Sequence, residues 1–187
     1  MVKIKTSVFI SGKGSNLKNL ILKSRDYSFP ISIKSIICDN PHAKGIVYAK
    51  KNSIPILIIN TKKRNFENKI FSHLKKYKIE FICLSGYMKI ISVSFLEKFR
   101  KKIINIHPSL LPKFKGLNTF SRILKNKEKK TGCTVHYVNE KLDSGNIILQ
   151  KNFYINKGDN EEIIKKKTQY LEYRAFPEAI IKIFRNN

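Results

Sequence analysis

Lys5-Thr6-Ser7-Val8-Phe9-Ile10-Ser11-Gly12-Lys13-Gly14-Ser15-Asn16-Leu17 runs from an apolar stretch, through two glycines, into a segment of helical period. It reads as a strand over Lys5–Ile10, a tight turn, and a helix over Asn16–Lys23 with Ser15 placed to cap it. The same grammar repeats downstream. Strands are expected at Ile31–Ile37, Ile54–Ile59, Phe81–Ser85 and Ile103–Ile106, and helices between them at His42–Lys51, Phe66–Tyr77 and Ser94–Arg100. Such alternation argues an α/β fold, a mainly parallel open sheet with flanking helices. After His107 the pattern changes. Pro108, Pro112 and Gly116 mark a loop, Thr119–Lys125 reads as a helix, and Thr134–Val138 with Ile147–Tyr154 read as an antiparallel pair. A last helix is expected from about Glu161 to Phe184, with a break before Pro177. No repeat, linker or low-complexity tail interrupts the chain, so residues 1–187 are expected to form one catalytic domain.

Composition narrows the class. Apolar residues make up 42% of the 187, enough for a packed core. No apolar run approaches the roughly 20 residues that span a bilayer, and Met1–Lys5 leads into a strand rather than a signal-peptide core. Cys38, Cys83 and Cys133 are odd in number, lack CxxC spacing and sit in or beside apolar runs. They read as buried thiols of a reducing compartment, so a cytoplasmic location is expected. The net charge of +25 invites a nucleic-acid reading. It comes, however, from 32 Lys and only 6 Arg, accompanied by 17 Asn and scattered over every expected helix. A/T-rich codon usage accounts for that pattern, and Arg is the better nucleic-acid reader. No nucleic-acid or membrane partner is expected; the field could help collect anionic small substrates.

Three segments carry chemistry. In the Ser11–Leu17 turn, paired glycines let the backbone approach a ligand, and the N–H groups of a helix start attract an anion. Leu17 stands where the dinucleotide fingerprint needs its third small residue, and the P-loop's Lys-Ser order fails. In Ile104-Asn105-Ile106-His107-Pro108-Ser109-Leu110-Leu111-Pro112, Asn105 and His107 lie two apart at a strand end, so they share a face. Ligands of open parallel sheets collect beyond such ends. Asp143, in Lys141-Leu142-Asp143-Ser144-Gly145, is by itself only a turn residue before a glycine. Spacing does not say whether it meets His107.

Together, Ser11–Leu17, Gly86-Tyr87-Met88-Lys89-Ile90-Ile91-Ser92, Asn105–Pro112 and Gly132–Gln150 resemble the phosphoribosylglycinamide formyltransferase family in order and spacing. The resemblance runs from residue 7 to about 184, and it implies a Rossmann-like formyltransferase fold. It also implies transfer of a formyl group from 10-formyltetrahydrofolate, a co-substrate, to a phosphoribosylglycinamide amine in purine synthesis, with no metal. By motif position it implies a catalytic trio of Asn105, His107 and Asp143. Asn105 and a protonated His107 would donate to the oxygen of the tetrahedral intermediate. Asp143 would support His107 and a water that relays the proton. The substrate would be bound by Gly14, Ser15, Asn16, Leu17 and Lys18, with Gln169 and Glu172. The folate would meet Arg64, Met88, Lys89, Ile90, Ile91 and Asn105.

The chain departs from the family's pattern at Asn118, Phe120 and Tyr173, where relatives often carry His. At Asn118 and Phe120, in the loop after Gly116, polar support of His107 is therefore expected to be reduced, while Tyr173 changes the surroundings of Gln169 and Glu172. Rival readings are weighed by length. Formyltetrahydrofolate deformylases carry an extra N-terminal domain and methionyl-tRNA formyltransferases a C-terminal one, so a chain of this extent favours transfer to the glycinamide. A monomer and a homodimer remain equally open.

Overall fold

The computed structural model describes residues 2–185. The chain forms two compact units, residues 1–104 and 105–187. In the first, parallel strands alternate with helices as expected: β1 (Ile4–Ile10), α1 (Ser15–Ser24), β2 (Ile31–Cys38), α2 (Ile46–Lys51), β3 (Ile56–Ile58), α3 (Phe66–Lys76), β4 (Phe81–Leu84) and α4 (Val93–Phe99). Strand order is β3-β2-β1-β4. β1 pairs in parallel with β2, Ile10 opposite Cys38, and with β4, Val8 opposite Cys83. β1 lies between two neighbours, and accordingly Val8, Phe9 and Ile10 are fully buried. Phe9, Phe81 and Phe95 fill the core, with Phe9 edge-on to Phe95.

The boundary falls within β5 (Ile103–His107), and the second unit goes on with α5 (Thr119–Lys125), β6 (Lys130–Tyr137), β7 (Ile147–Tyr154) and α6 (Glu161–Arg185). Here the strand order is β5-β6-β7, and β6 and β7 are antiparallel, Val135 opposite Leu149. The α/β class and the mainly parallel sheet with an antiparallel pair towards the C-terminus are as the sequence implies. Helix α6 packs on β6 and β7.

Several boundaries differ, each for a physical reason. Ser15 is the first residue of α1 rather than its cap; the cap is Gly14, in the left-handed region at φ 70°. Helix α2 starts at Ile46, not His42. Gly45 is where the chain presses on the first turn. Its N–H donates to the Gly12 carbonyl, and a Cβ on Gly14 would lie 2.5 Å from the Gly45 Cα. Strand β6 begins four residues before Thr134. Gly132 sits inside it because a Cβ there would overlap the Lys151 carbonyl of β7. Helix α6 is not broken before Pro177 but runs through it. An interior proline costs about 3 kcal/mol. The buried run Ala175, Phe176, Pro177, Ala179 and Ile180 offsets it, since one fully buried Phe or Ile contributes about 1.5–3 kcal/mol.

Candidate active site

β5 ends in Asn105, Ile106 and His107, with Ile106 turned into the core and the polar pair on the other face. Asp143 reaches the same point from the β6–β7 connection, where its backbone is left-handed at φ 46°. His107 Nδ1 lies 3.2 Å from Asp143 Oδ2, and the Asn105 amide donates to Asp143 Oδ1 at 3.3 Å. The three side chains expected to act together are therefore in mutual contact through one carboxylate. His107 and Asp143 are both buried.

A fourth residue, His136 of β6, belongs to the cluster and was missed. Its Nδ1 donates to the Tyr137 carbonyl at 2.8 Å, and its Nε2 accepts from the Asn105 amide at 3.3 Å. The only signal for it was alternation. His136 lies two residues after Thr134, whose hydroxyl accepts from the Leu111 N–H and donates to the Ser109 carbonyl.

The support for His107 that was expected to be reduced comes from the backbone instead. His107 Nε2 donates to the Phe114 carbonyl at 2.9 Å, and the Gly116 N–H donates to Asp143 Oδ2 at 2.9 Å. Both ring nitrogens of His107 thus face oxygens, and both bonds form together only in the doubly protonated ring. Burial opposes that cation and holds the His107 pKa below its ordinary value. Asp143 and the Phe114 carbonyl pull the other way, while His136 and Arg122 add to the lowering. Burial pushes the Asp143 carboxyl up, but His136, the Gly116 N–H and His107 outweigh it and bring it down to about 2. Asp143 is an anion at any working pH.

The first unit holds the other expected contacts. Gly14 caps α1, Ser15 opens it, Asn16 is buried and Lys18 is exposed with its ammonium over the Tyr48 ring. Leu17 is entirely buried, so only its backbone can meet a ligand. The Met88 N–H donates to Ser11 Oγ at 2.8 Å, tying the glycine turn to the segment after β4. A cleft of about 660 Å³ opens there, lined among others by Ser11, Asn40, Asn60, Lys62, Met88 and Lys89. These residues follow the C-terminal ends of β1 to β4, where open parallel sheets bind ligands, and the volume suits a small molecule. Met88 and Ile90 are exposed, and Ile91 is buried, which leaves its backbone to meet a ligand. Arg64 is exposed in the turn before α3. In the second unit, Gln169 and Glu172 share one face of α6 and are half-buried. Asn118 is the left-handed cap of α5. Phe120 and Tyr173 are half-buried.

Cys38, Cys83 and Cys133 are buried free thiols, all with raised pKa through burial. Among the described residues, no cluster of His, Cys, Asp and Glu is arranged to hold a metal, and no helix is long and apolar enough to cross a membrane.

Residues 4–180 match the formyl transferase family. The chain is 42% identical over 182 residues to the trifunctional purine biosynthetic protein adenosine-3 of Drosophila pseudoobscura pseudoobscura, covering 94% of this chain but 13% of that protein. It spans only 13% to 18% of the length of such trifunctional relatives. It is 39% identical over 186 residues to the phosphoribosylglycinamide formyltransferase of Haemophilus influenzae, covering 96% of this chain and 86% of that one. The crystal structure of phosphoribosylglycinamide formyltransferase from Brucella melitensis superposes with a TM-score of 0.92 at 35% identity, covering 100% of this chain and 97% of that one.

Proposed function

Because the chain belongs to the formyl transferase family, we propose that it passes the formyl group of 10-formyltetrahydrofolate to the amine of phosphoribosylglycinamide, a step of purine synthesis. The observation that carries this reading is the contact of Asn105, His107 and Asp143 around one carboxylate.

The chemistry needs little more than those groups. The neutral amine attacks the formyl carbon; a carbon–nitrogen bond forms and the carbonyl electron pair moves to oxygen. Collapse of that tetrahedral species breaks the bond to the folate nitrogen, which takes up the proton that the amine gives. Asn105 and His107 donate to the oxyanion, an effect worth about 10²–10³-fold in rate per donor. In the resting arrangement the Phe114 carbonyl already stands 2.9 Å from His107 Nε2. The formyl oxygen shares that donor on binding, so the carbonyl keeps the proton on the nitrogen that needs it through the reaction. The Asn105 contacts, both 3.3 Å, are long enough to be exchanged for the formyl oxygen. Asp143 favours the imidazolium and orders the water that carries the amine proton to the folate nitrogen.

In this reading Gly14, Ser15, Asn16, Lys18 and the Leu17 backbone take the substrate phosphate, and Gln169 with Glu172 contact its phosphate and ribose. Arg64, Met88, Lys89, Ile90, Ile91 and Asn105 take the folate, Ile91 through its backbone. Residues 1–187 act as one catalytic domain in the cytoplasm, without nucleic acid. The decisive experiment supplies 10-formyltetrahydrofolate with and without phosphoribosylglycinamide. Formylated glycinamide with stoichiometric tetrahydrofolate is expected only when both are present. Formate release without the acceptor would make the protein a hydrolase, and no turnover at all would end the reading.

A further inference from the structure

We propose that Arg122 is a positioning residue for His107, acting through the backbone of residues 114–117. The inference rests on the formyl-transfer reading for its kinetic consequence, but its geometry stands apart from it. One short loop supplies the backbone partners of both members of the His–Asp pair. The Phe114 carbonyl accepts from His107 Nε2, and two residues later the Gly116 N–H donates to the same Asp143 oxygen that faces His107 Nδ1. The spacing between that carbonyl and that N–H therefore sets where the imidazole sits and which nitrogens keep their hydrogens.

The loop does not hold this shape unaided. Phe114 and Asn118 are left-handed, at φ 58° and 55°, a region that opposes any residue with a Cβ. Such a backbone persists only where neighbours over-determine it. Arg122 supplies that constraint. Its Nη1 donates to the Lys115 carbonyl at 2.6 Å and the Leu117 carbonyl at 3.4 Å, the carbonyls of the two residues on either side of Gly116. Its guanidinium also lies 5.6 Å from the centre of the Phe114 ring. Helix α5 aims it there: the Arg122 N–H closes the first turn on the Asn118 carbonyl, and helical side chains lean back towards the N-terminus. A planar guanidinium can grip carbonyls and cover a ring at once, which an ammonium cannot. The Lys115 ammonium adds a second tie, to Ser144 Oγ, next to Asp143.

The charged and titratable groups that face His107 are Asp143, His136 and Arg122. This makes the hypothesis separable from a plain charge effect. The positive charge of Arg122 disfavours protonation of His107, whereas the Phe114 carbonyl that it holds in place favours it. Arg122→Lys keeps the charge and loses the grip. The experiment is a histidine-labelled NMR titration of the full chain, with the His107 signal assigned by its loss in His107→Asn, alongside steady-state kinetics across pH. Arg122→Lys is expected to move the His107 midpoint down. It should lower kcat at neutral pH by about ten-fold, the scale of one charged hydrogen bond. KM for both substrates should stay near the wild-type values, and kcat should recover as the pH is lowered. An unchanged midpoint and pH profile with only a lower Tm would make Arg122 merely structural and overturn the proposal, as would a raised midpoint or a faster enzyme. If Arg122→Lys does not fold, Lys115→Met, which removes the Ser144 tie, must move the midpoint in the same direction. A wild-type protein without formyl transfer would defeat the functional reading, while the midpoint would still decide the role of Arg122.

Discussion

Asp143→Asn isolates the charge at the centre of the site. The carboxylate accepts from the Gly116 N–H at 2.9 Å and from the Asn105 amide at 3.3 Å, and faces His107 Nδ1 at 3.2 Å. The amide is nearly isosteric, so one oxygen can still serve the Gly116 N–H and hold the turn. What disappears is the anion beside His107, which now opposes the effect of burial on that ring. A hydrogen bond to a charged group contributes about 1.5–3 kcal/mol, or about ten- to 150-fold in an equilibrium between protonated and neutral imidazole. The protonated fraction at neutral pH should fall by a factor within that range, and kcat with it, by about 10²-fold. KM should change little, because the carboxylate acts on the reacting groups rather than on the bulk of either substrate. Adding Asn105→Ala should cost less than the product of the two single effects, since the Asn105 amide is held by the same carboxylate. The assay is steady-state turnover at saturating substrates on variants whose circular dichroism and Tm confirm folding. A folded Asp143→Asn protein turning over within about three-fold of wild type would refute the reasoning, because a unit of interdependent groups does not tolerate losing its centre.

Gly45→Ala should lower stability by about 1–3 kcal/mol and raise KM for the phosphorylated substrate, because its Cβ would meet the Gly14 Cα at 3.0 Å and Ile10 Cδ1 at 2.8 Å; thermal melts and KM values that match wild type would contradict this. Ile90→Asp should raise the folate KM far more than the glycinamide KM, since Ile90 is 70% exposed beside the cleft while Ile91, at 8%, would test only the core; equal effects on both KM values would remove the 88–91 segment from folate binding. Tm should fall as the medium is acidified in two stages. His107, with a lowered folded pKa, contributes stability that is present above its unfolded value near 6.5 and lost as pH falls below it, and Asp143 contributes stability lost as pH falls from 3.8 through about 2. Asp143→Asn should abolish the more acid stage, as read from Tm against pH.

Local grammar carries most of the fold. The alternation of apolar strands with helix-period segments, and the change of pattern after His107, place every strand and helix to within a few residues, because side-chain periods of two and 3.6 are local properties of the chain. The pairing of Asn105 with His107 was legible for the same reason. Where local signals failed, a distant segment had overruled them. Gly45 delays the start of α2 because the Gly12–Gly14 turn presses on it, Gly132 stays in β6 because β7 leaves no room for a Cβ, and Pro177 sits inside α6 because its neighbours are buried against β6 and β7.

The chemistry of the site depends most on tertiary structure. By itself the sequence determined a parallel α/β chain with a glycine turn, a polar pair at a strand end and an Asp in a turn. That Asp143 touches His107, that His136 joins them, and that the Phe114 carbonyl and the Gly116 N–H give the pair its polar support, was decided only by the folded chain. Hydrogen bonds act over about 3 Å between atoms, while the residues that make these lie in separate elements. Spacing along a chain fixes which face a side chain occupies, but not which distant backbone group arrives opposite it.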